Sequence, residues 1–260
     1  MEFTRLSYAS GERRATITLA RPDKRNALDD VMVGELTSAF TAAARDQSVK
    51  VVVLDARGPA FCAGADLEYL ARTGAYDLEA HRADSRRLAA LYRFIYELRK
   101  PVIAAVQGPA LAGGCGLASV CDFIIASREH AAFGYTEVHI GFIPAIVMVF
   151  LVRRLGEGRA RELVLGGSVL GAEEARSAGL VSAVVSHDGL AAAVDALGAA
   201  LCAENSAASM GLCKEMLARL HGMSFVDALD FAANMNAAAR MTAECKRGIA
   251  AFLAKEKITW

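Results

Sequence analysis

The 260-residue sequence has no surplus of either charge: 29 basic residues stand against 29 acidic ones, and the isoelectric point lies near 7.0. Nucleic acids and anionic membrane surfaces recruit proteins through a basic excess, so neither is expected as a partner. A long apolar run is also missing. The longest, Ile143 to Val152, stops at Arg153-Arg154 and is about half the ~20 residues that span ~30 Å of hydrocarbon, so it reads as a buried core element. The six cysteines (Cys62, Cys115, Cys121, Cys202, Cys213, Cys245) include no Cys-x-x-Cys pair. The stretch Met1 to Tyr8 has neither the apolar segment of a secretory signal nor the start of an Arg-rich presequence. Reduced thiols and a cytoplasmic location are the expectation.

Several chemistries lack their motifs. No Gly-Lys dipeptide occurs, which removes the phosphate-cradling P-loop. Gly156-Glu157-Gly158 has no third glycine at the spacing of a dinucleotide fingerprint and sits within a helical pattern. The histidines, His81, His130, His139, His187 and His221, never fall two to a helical turn, so no metal site is expected. Gly166-Gly167-Ser168-Val169-Leu170 lacks the second flanking glycine of a nucleophile elbow, which leaves acyl-enzyme chemistry with little support.

What is present is core material: 54% of residues are hydrophobic and 22% charged, enough to exclude a disordered chain. Ala15 to Leu19 alternates with the period of a strand and is broken by Arg21-Pro22-Asp23. Asp29 or Asp30 can cap a helix carrying Met32, Leu36 and Phe40 at helical spacing, and Val49 to Leu54 is a β-branched run suited to a sheet covered on both faces. A periodic polar stretch from Leu78 to Leu98 precedes the strand-like Pro101 to Val106, then a short helix from Cys115 and a further strand, Asp122 to Ala126. This alternation predicts an α/β fold with mostly parallel pairing, because parallel strands need crossover connections. After Val181 to Val185 the β-branched runs cease and the chain becomes Ala-, Leu- and Met-rich. We therefore expect an α/β core over 1–195 and a helical C-terminal oligomerisation region over 196–260.

Three segments combine turns with chemistry. Gly58 to Asp66 and Gly108 to Gly116 each follow a strand and lead into a helix, where backbone N–H groups are unpaired and the helix dipole favours negative charge. Two such donors converging on one point form an oxyanion hole; the alternative is that the glycines only let a helix pack closely on a sheet. The third segment, Ala131 to Pro144, places Glu137 among apolar and small neighbours that would raise its pKa and suit it to general acid–base work. Taken alone, a glutamate after threonine is more often a helix-entry residue than a catalyst.

The ordered set Arg21-Pro22…Asn26-Ala27-Leu28, Ala60 to Asp66, Lys100 to Gly108, Ala112-Gly113-Gly114-Cys115, Cys121-Asp122, Phe133-Gly134…Glu137…Gly141…Pro144, Arg154-Leu155-Gly156 and Ala178-Gly179-Leu180-Val181 resembles the enoyl-CoA hydratase/isomerase, or crotonase, family. The resemblance implies a spiral of repeated ββα units and a helical C-terminal region that completes a homotrimer or a dimer of trimers. It implies an acyl-CoA thioester substrate, with coenzyme A as part of the substrate and no separate cofactor. Ala65 and Gly113 match the backbone donors to the thioester oxygen, Glu137 matches one of the two catalytic glutamates, and the loop Ala63, Asp66, Leu67, Glu68 matches a coenzyme A-binding segment. Lys24 or Arg25 would meet its phosphates, Gly116 would border the substrate, and Phe252 with Lys255 would reach a neighbouring subunit's ligand.

The departure is at Gly116, where well-studied hydratases carry their other glutamate. Ala145 to Phe150 also replaces a Gly-rich stretch, which predicts a reshaped, more apolar acyl pocket. Reversible hydration of a short or branched 2-enoyl-CoA, for instance of methylglutaconyl type, is the leading expectation. Δ3,Δ2-Enoyl-CoA isomerisation by Glu137 alone and non-catalytic acyl-CoA binding are the alternatives. Restoring the carboxylate as Gly116→Glu is expected to favour hydration, provided the helix tolerates it.

Overall fold

The computed structural model describes residues 2–260. The amino-terminal hairpin pairs β1 (Leu6–Gly11) antiparallel with β2 (Arg14–Leu19), whose alternating burial follows the period of two read from its sequence. Asp29 caps α1 (Asp30–Arg45) by accepting from the Met32 amide at 2.8 Å, and Met32, Leu36 and Phe40 turn inward. β3 (Val51–Ala56) then leads to α2 (Leu67–Arg72), α3 (Leu78–Glu97) and β4 (Val102–Val106). A two-residue strand, β5 (Ala110–Leu111), precedes α4 (Gly113–Ser119), β6 (Phe123–Ser127) and β7 (Ala132–Gly134). The chain continues through α5 (Ala145–Gly166), β8 (Val169–Gly171), α6 (Ala172–Ser177), β9 (Ala183–Val185), α7 (Leu190–Glu204), α8 (Ala207–Leu220), α9 (Phe225–Met241) and α10 (Ala243–Ala254).

The main sheet has the order β1-β2-β3-β4-β6-β9, parallel from β2 onward, and a small second sheet has the order β5-β7-β8. This is a mixed α/β arrangement with mostly parallel pairing, as the alternation of strands and helices predicts. One sheet face packs Val52, Leu54 and Ala104 with α1, α3 and α4, and the other packs Val51, Val53 and Ile103 under Leu190, Val194 and Leu201 of α7. The continuous β-branched runs thus serve strands buried on both faces. The division expected at 195/196 falls within α7, which belongs with the sheet because its apolar stripe covers it. The helices without a buried residue begin at α9, since α8 still packs Met210 on the sheet cluster and buries Lys214.

Two further differences concern helices. α5 is interrupted at Gly156, whose φ of +76° is open to glycine and breaks the helical run. In α9 no residue is fully buried. Ala228, Ala232, Met235 and Ala239 form an apolar stripe and are half-buried, whereas Phe225, Val226 and Leu229 are exposed, together with Ile249, Phe252 and Leu253 of α10. Among the described residues no helix is long and apolar enough to cross a membrane.

Candidate active site

The first of the two glycine-rich turns is held by the segment before α1. Asn26 is fully buried; its side-chain oxygen accepts from the Arg21 amide, and its amide group donates to the carbonyls of Arg57 and Ala60, all at 2.9 Å. Its φ of +55° is one asparagine tolerates better than most residues. Beyond it, the Leu28 amide donates to the Gly64 carbonyl at 2.7 Å, and the Asp66 amide donates to the Leu28 carbonyl at 2.9 Å. Those two bonds bracket Ala65. Because successive backbone groups along an extended segment point to opposite sides, the Ala65 N–H faces away from Leu28 and has no acceptor among the described residues.

The second turn brings in another free donor. Gly113 is the first residue of α4, where an amide has no intrahelical acceptor, and no other group takes its hydrogen. The two turns touch: a Cβ on Gly64 would lie 3.1 Å from the Gly113 nitrogen and 2.9 Å from the Leu111 carbonyl oxygen. Gly64 also has φ +90°, so glycine is required there for both conformation and space. Ala112, with φ +51° and ψ −127°, holds the peptide that carries the Gly113 N–H, and its own amide is anchored to the Gly134 carbonyl at 2.7 Å. A non-glycine residue in that region is strained by ~1–3 kcal/mol and persists only where its surroundings over-determine it. The hydroxyl of Tyr92, a fully buried residue of α3, donates to the Gly113 carbonyl at 2.6 Å.

Glu137 opens a short 3-10 turn, Glu137–Ile140, just after β7. It is 8% exposed, and its Oε2 is buried without a hydrogen-bond partner. Burial pushes its pKa up from the usual carboxylate range, the direction expected from the apolar sequence around it. Glu137 lies three residues beyond Gly134, whose carbonyl accepts from the Ala112 amide at 2.7 Å, so the segment that bears this carboxylate is tied to the turn that bears Gly113. A buried carboxylate oxygen without a partner, on a segment tied to the turn that carries an unclaimed N–H donor, can exchange a proton with a substrate whose oxygen such donors hold.

The neighbourhood of Gly116 is packed. It is buried in α4, and a Cβ there would lie 2.0 Å from Val147 Cγ1, 2.7 Å from Val147 Cβ and 3.3 Å from a Tyr92 ring carbon. Gly116→Glu therefore has no room beside the parent's Val147, which answers the proviso attached to that substitution. Ala145 to Phe150 forms the first turns of α5; Val147 is buried, and Phe150 sets its ring edge-on to Tyr92 with centroids 6.4 Å apart.

The residues matched to coenzyme A binding divide. Lys24 is half-exposed and paired with the exposed Glu68 at 2.5 Å, and Arg25 is exposed at φ +50°. Leu67 is exposed at the start of α2, and Ala63 donates its amide to the Arg25 carbonyl at 3.0 Å. Asp66, by contrast, is buried: it accepts from the amides of Glu68 and Tyr69 at the head of α2 and pairs with Arg21 at 2.7 Å. Burial opposes its ionisation, but the Tyr69 amide and Arg21 outweigh it and hold the pKa down. Phe252 and Lys255 lie exposed at the end of α10. A cleft of about 560 Å³ between the β1–β2 hairpin and α7 is lined by none of these residues. Tyr92 had no mark in the sequence as part of the site, and Val147 was marked only as one of the divergent Ala145–Phe150 stretch, not as the residue that meets Gly116.

Comparison with known proteins gives one answer. The sequence profile described as enoyl-CoA hydratase/isomerase matches residues 12–260. A Thermus thermophilus protein, assigned provisionally as an enoyl-CoA hydratase, is 41% identical over 241 residues, 93% of this chain and 94% of the relative. The 2,3-dehydroadipyl-CoA hydratase of Escherichia coli is 39% identical over 178 residues, 68% of each chain. The crystal structure of an enoyl-CoA hydratase from Shewanella pealeana superposes with a TM-score of 0.93 at 31% identity, covering 100% of this chain and 97% of that one. With its profile matched nearly end to end and its fold shared, this chain belongs to the enoyl-CoA hydratase/isomerase family.

Proposed function

We propose that the protein reversibly hydrates a short or branched 2-enoyl-CoA thioester, such as one of methylglutaconyl type, with Glu137 as its only acid–base carboxylate. The observation that carries this is the unpartnered, buried Glu137 Oε2 on the segment whose Gly134 carbonyl anchors the Gly113 turn, together with the two free amides of Ala65 and Gly113. The names of the relatives support the class: besides the E. coli protein, a crotonyl-CoA hydratase of Syntrophomonas wolfei is 35% identical over 192 residues.

In the forward direction Glu137 takes a proton from water as the water oxygen bonds to C3. The C2–C3 electron pair moves toward the thioester, and the resulting enolate oxygen is held by the N–H groups of Ala65 and Gly113. The protonated Glu137 then returns its proton to C2, so that the elements of water are added and the carboxylate is regenerated. Losing an oxyanion donor typically costs ~3 kcal/mol, which makes these two amides a large part of the catalysis. Coenzyme A would lie along Lys24, Arg25 and the Ala63–Glu68 loop.

The packed Gly116 favours a second reading. Glu137 would remove a proton from C2 of a 3-enoyl-CoA and deliver it to C4, moving the double bond into conjugation without water. Incubation of the protein with crotonyl-CoA and, separately, a 3-enoyl-CoA separates the readings. Hydration removes conjugated-thioester absorbance and adds the mass of water, whereas isomerisation raises absorbance at constant mass. No change with either substrate would leave only acyl-CoA binding.

The same proposal includes assembly. α9 and α10 contain no fully buried residue and expose Phe225, Leu229, Ile249, Phe252 and Leu253, an apolar surface suited to neighbouring copies. Sedimentation equilibrium should give a trimer or hexamer, and a monomer at micromolar concentration would contradict it.

A further inference from the structure

The place of a second carboxylate is decided by two residues from different helices. Gly116 has no side chain, and the volume in front of it is taken by Val147 from the first turn of α5, with Cγ1 2.0 Å and Cβ 2.7 Å from the position a Cβ at 116 would occupy. Val147 is β-branched, so its side chain is confined to few rotamers and cannot swing aside as a long chain would. Even a rotation would leave its Cβ in the way. Tyr92 closes the space from α3, fixed by its hydroxyl bond to the Gly113 carbonyl and by the edge of Phe150.

We propose that Val147 is a specificity-determining residue of this site: by filling the space in front of Gly116 with hydrocarbon, it confines proton transfer to Glu137 and sets the balance between hydration and double-bond migration. This rests on the functional reading above. A valine offers no hydrogen bond to water, so a water molecule attacking C3 would be oriented by Glu137 alone, whereas proton migration from C2 to C4 needs no water. The pair Gly116–Val147, and not glycine alone, therefore carries the specificity.

The test is a double-mutant cycle read by melting temperature, coenzyme A binding and the ratio of hydration to isomerisation. Gly116→Ala adds only the Cβ that meets Val147 and should lower the melting temperature by about 5 °C. In the Val147→Gly background the same alanine should cost no more than about 1 °C. Gly116→Glu combined with Val147→Gly should fold, bind coenzyme A and raise the hydration-to-isomerisation ratio about tenfold or more over the parent. Gly116→Glu alone should lose folded protein or fail to shift the ratio. The proposal is overturned if Gly116→Ala costs the same in both backgrounds, if Gly116→Glu alone shifts the ratio as far as the pair, or if the folded pair keeps the parental ratio. A parent inactive toward both thioesters would instead overturn the functional reading, a result distinguishable from an active parent with an uncoupled pair.

Discussion

Glu137 and Gly116 follow the two ends of one backbone bond, Ala112 to Gly134, and their surroundings are opposite. Around Glu137 the protein buries a carboxylate oxygen and provides it no partner, an arrangement that costs folding free energy. Around Gly116 the nearest atoms in the direction of a side chain are hydrocarbon, from Val147 and the Tyr92 ring. The unsatisfied group is where chemistry can occur, because its missing partner is what a substrate can supply. The saturated region is where chemistry is excluded. Departure from ordinary packing rules thus separates the reactive side of the site from its wall more clearly than residue type does.

The contrast can be broken most severely at Glu137. Glu137→Gln keeps the volume and removes the base, and turnover should fall by about 10²–10⁴-fold while coenzyme A affinity, measured by calorimetry, stays near the parent value. Parental turnover in this variant would reduce Glu137 to a helix-entry residue. Gly64→Ala comes next. Its Cβ would meet Ala112 Cβ at 2.8 Å and the Leu111 carbonyl at 2.9 Å in a left-handed conformation, pushing the two donor turns apart. We expect about a 10²-fold loss in kcat, on the scale of one lost oxyanion donor, with a lowered melting temperature.

The pH profile sharpens the same comparison. Since burial raises the Glu137 pKa, its basic form is lost as pH falls, so kcat/KM for a 3-enoyl-CoA should decline on an acidic limb whose midpoint lies above the ~4.3 of a free glutamate. That limb should vanish in Glu137→Gln. The smallest effect concerns stability. A glutamate whose folded-state pKa is raised contributes most at pH below its unfolded pKa and loses that contribution as pH rises through the folded value. Glu137→Gln should therefore melt at or slightly above the parent at pH 7, with the advantage shrinking toward pH 4; a lower melting temperature at pH 7 would contradict the cost assigned to the buried oxygen.

Much of the frame was legible because its signals are local. Asp29 before Met32, Leu36 and Phe40 announces α1, and the β-branched runs at 51–56 and 102–106 announce strands covered on both faces. The two glycine-rich turns were legible through their glycines, and the burial and raised pKa of Glu137 through its apolar neighbours. The short strands β5, β7 and β8 are too brief to show a period. The 195/196 division failed because Ala-rich composition does not reveal which face of α7 meets the sheet. Val147 could not be assigned because its contact with Gly116 crosses 31 positions and two helices, and distance in sequence carries no information about which side chain fills a gap.

The backbone at Ala112 has a kinetic meaning as well as a steric one. A loop free to relax would present the Gly113 N–H in many directions, and each catalytic cycle would begin by aligning it against thermal motion and bound solvent. With φ at +51°, its amide tied to Gly134 and the Gly113 carbonyl tied to Tyr92, that alignment is completed once, when the chain folds. In the proposed mechanism the donor would then be preorganised for charge that has yet to develop, and the reorganisation that water would require at every turnover would be absent from the barrier.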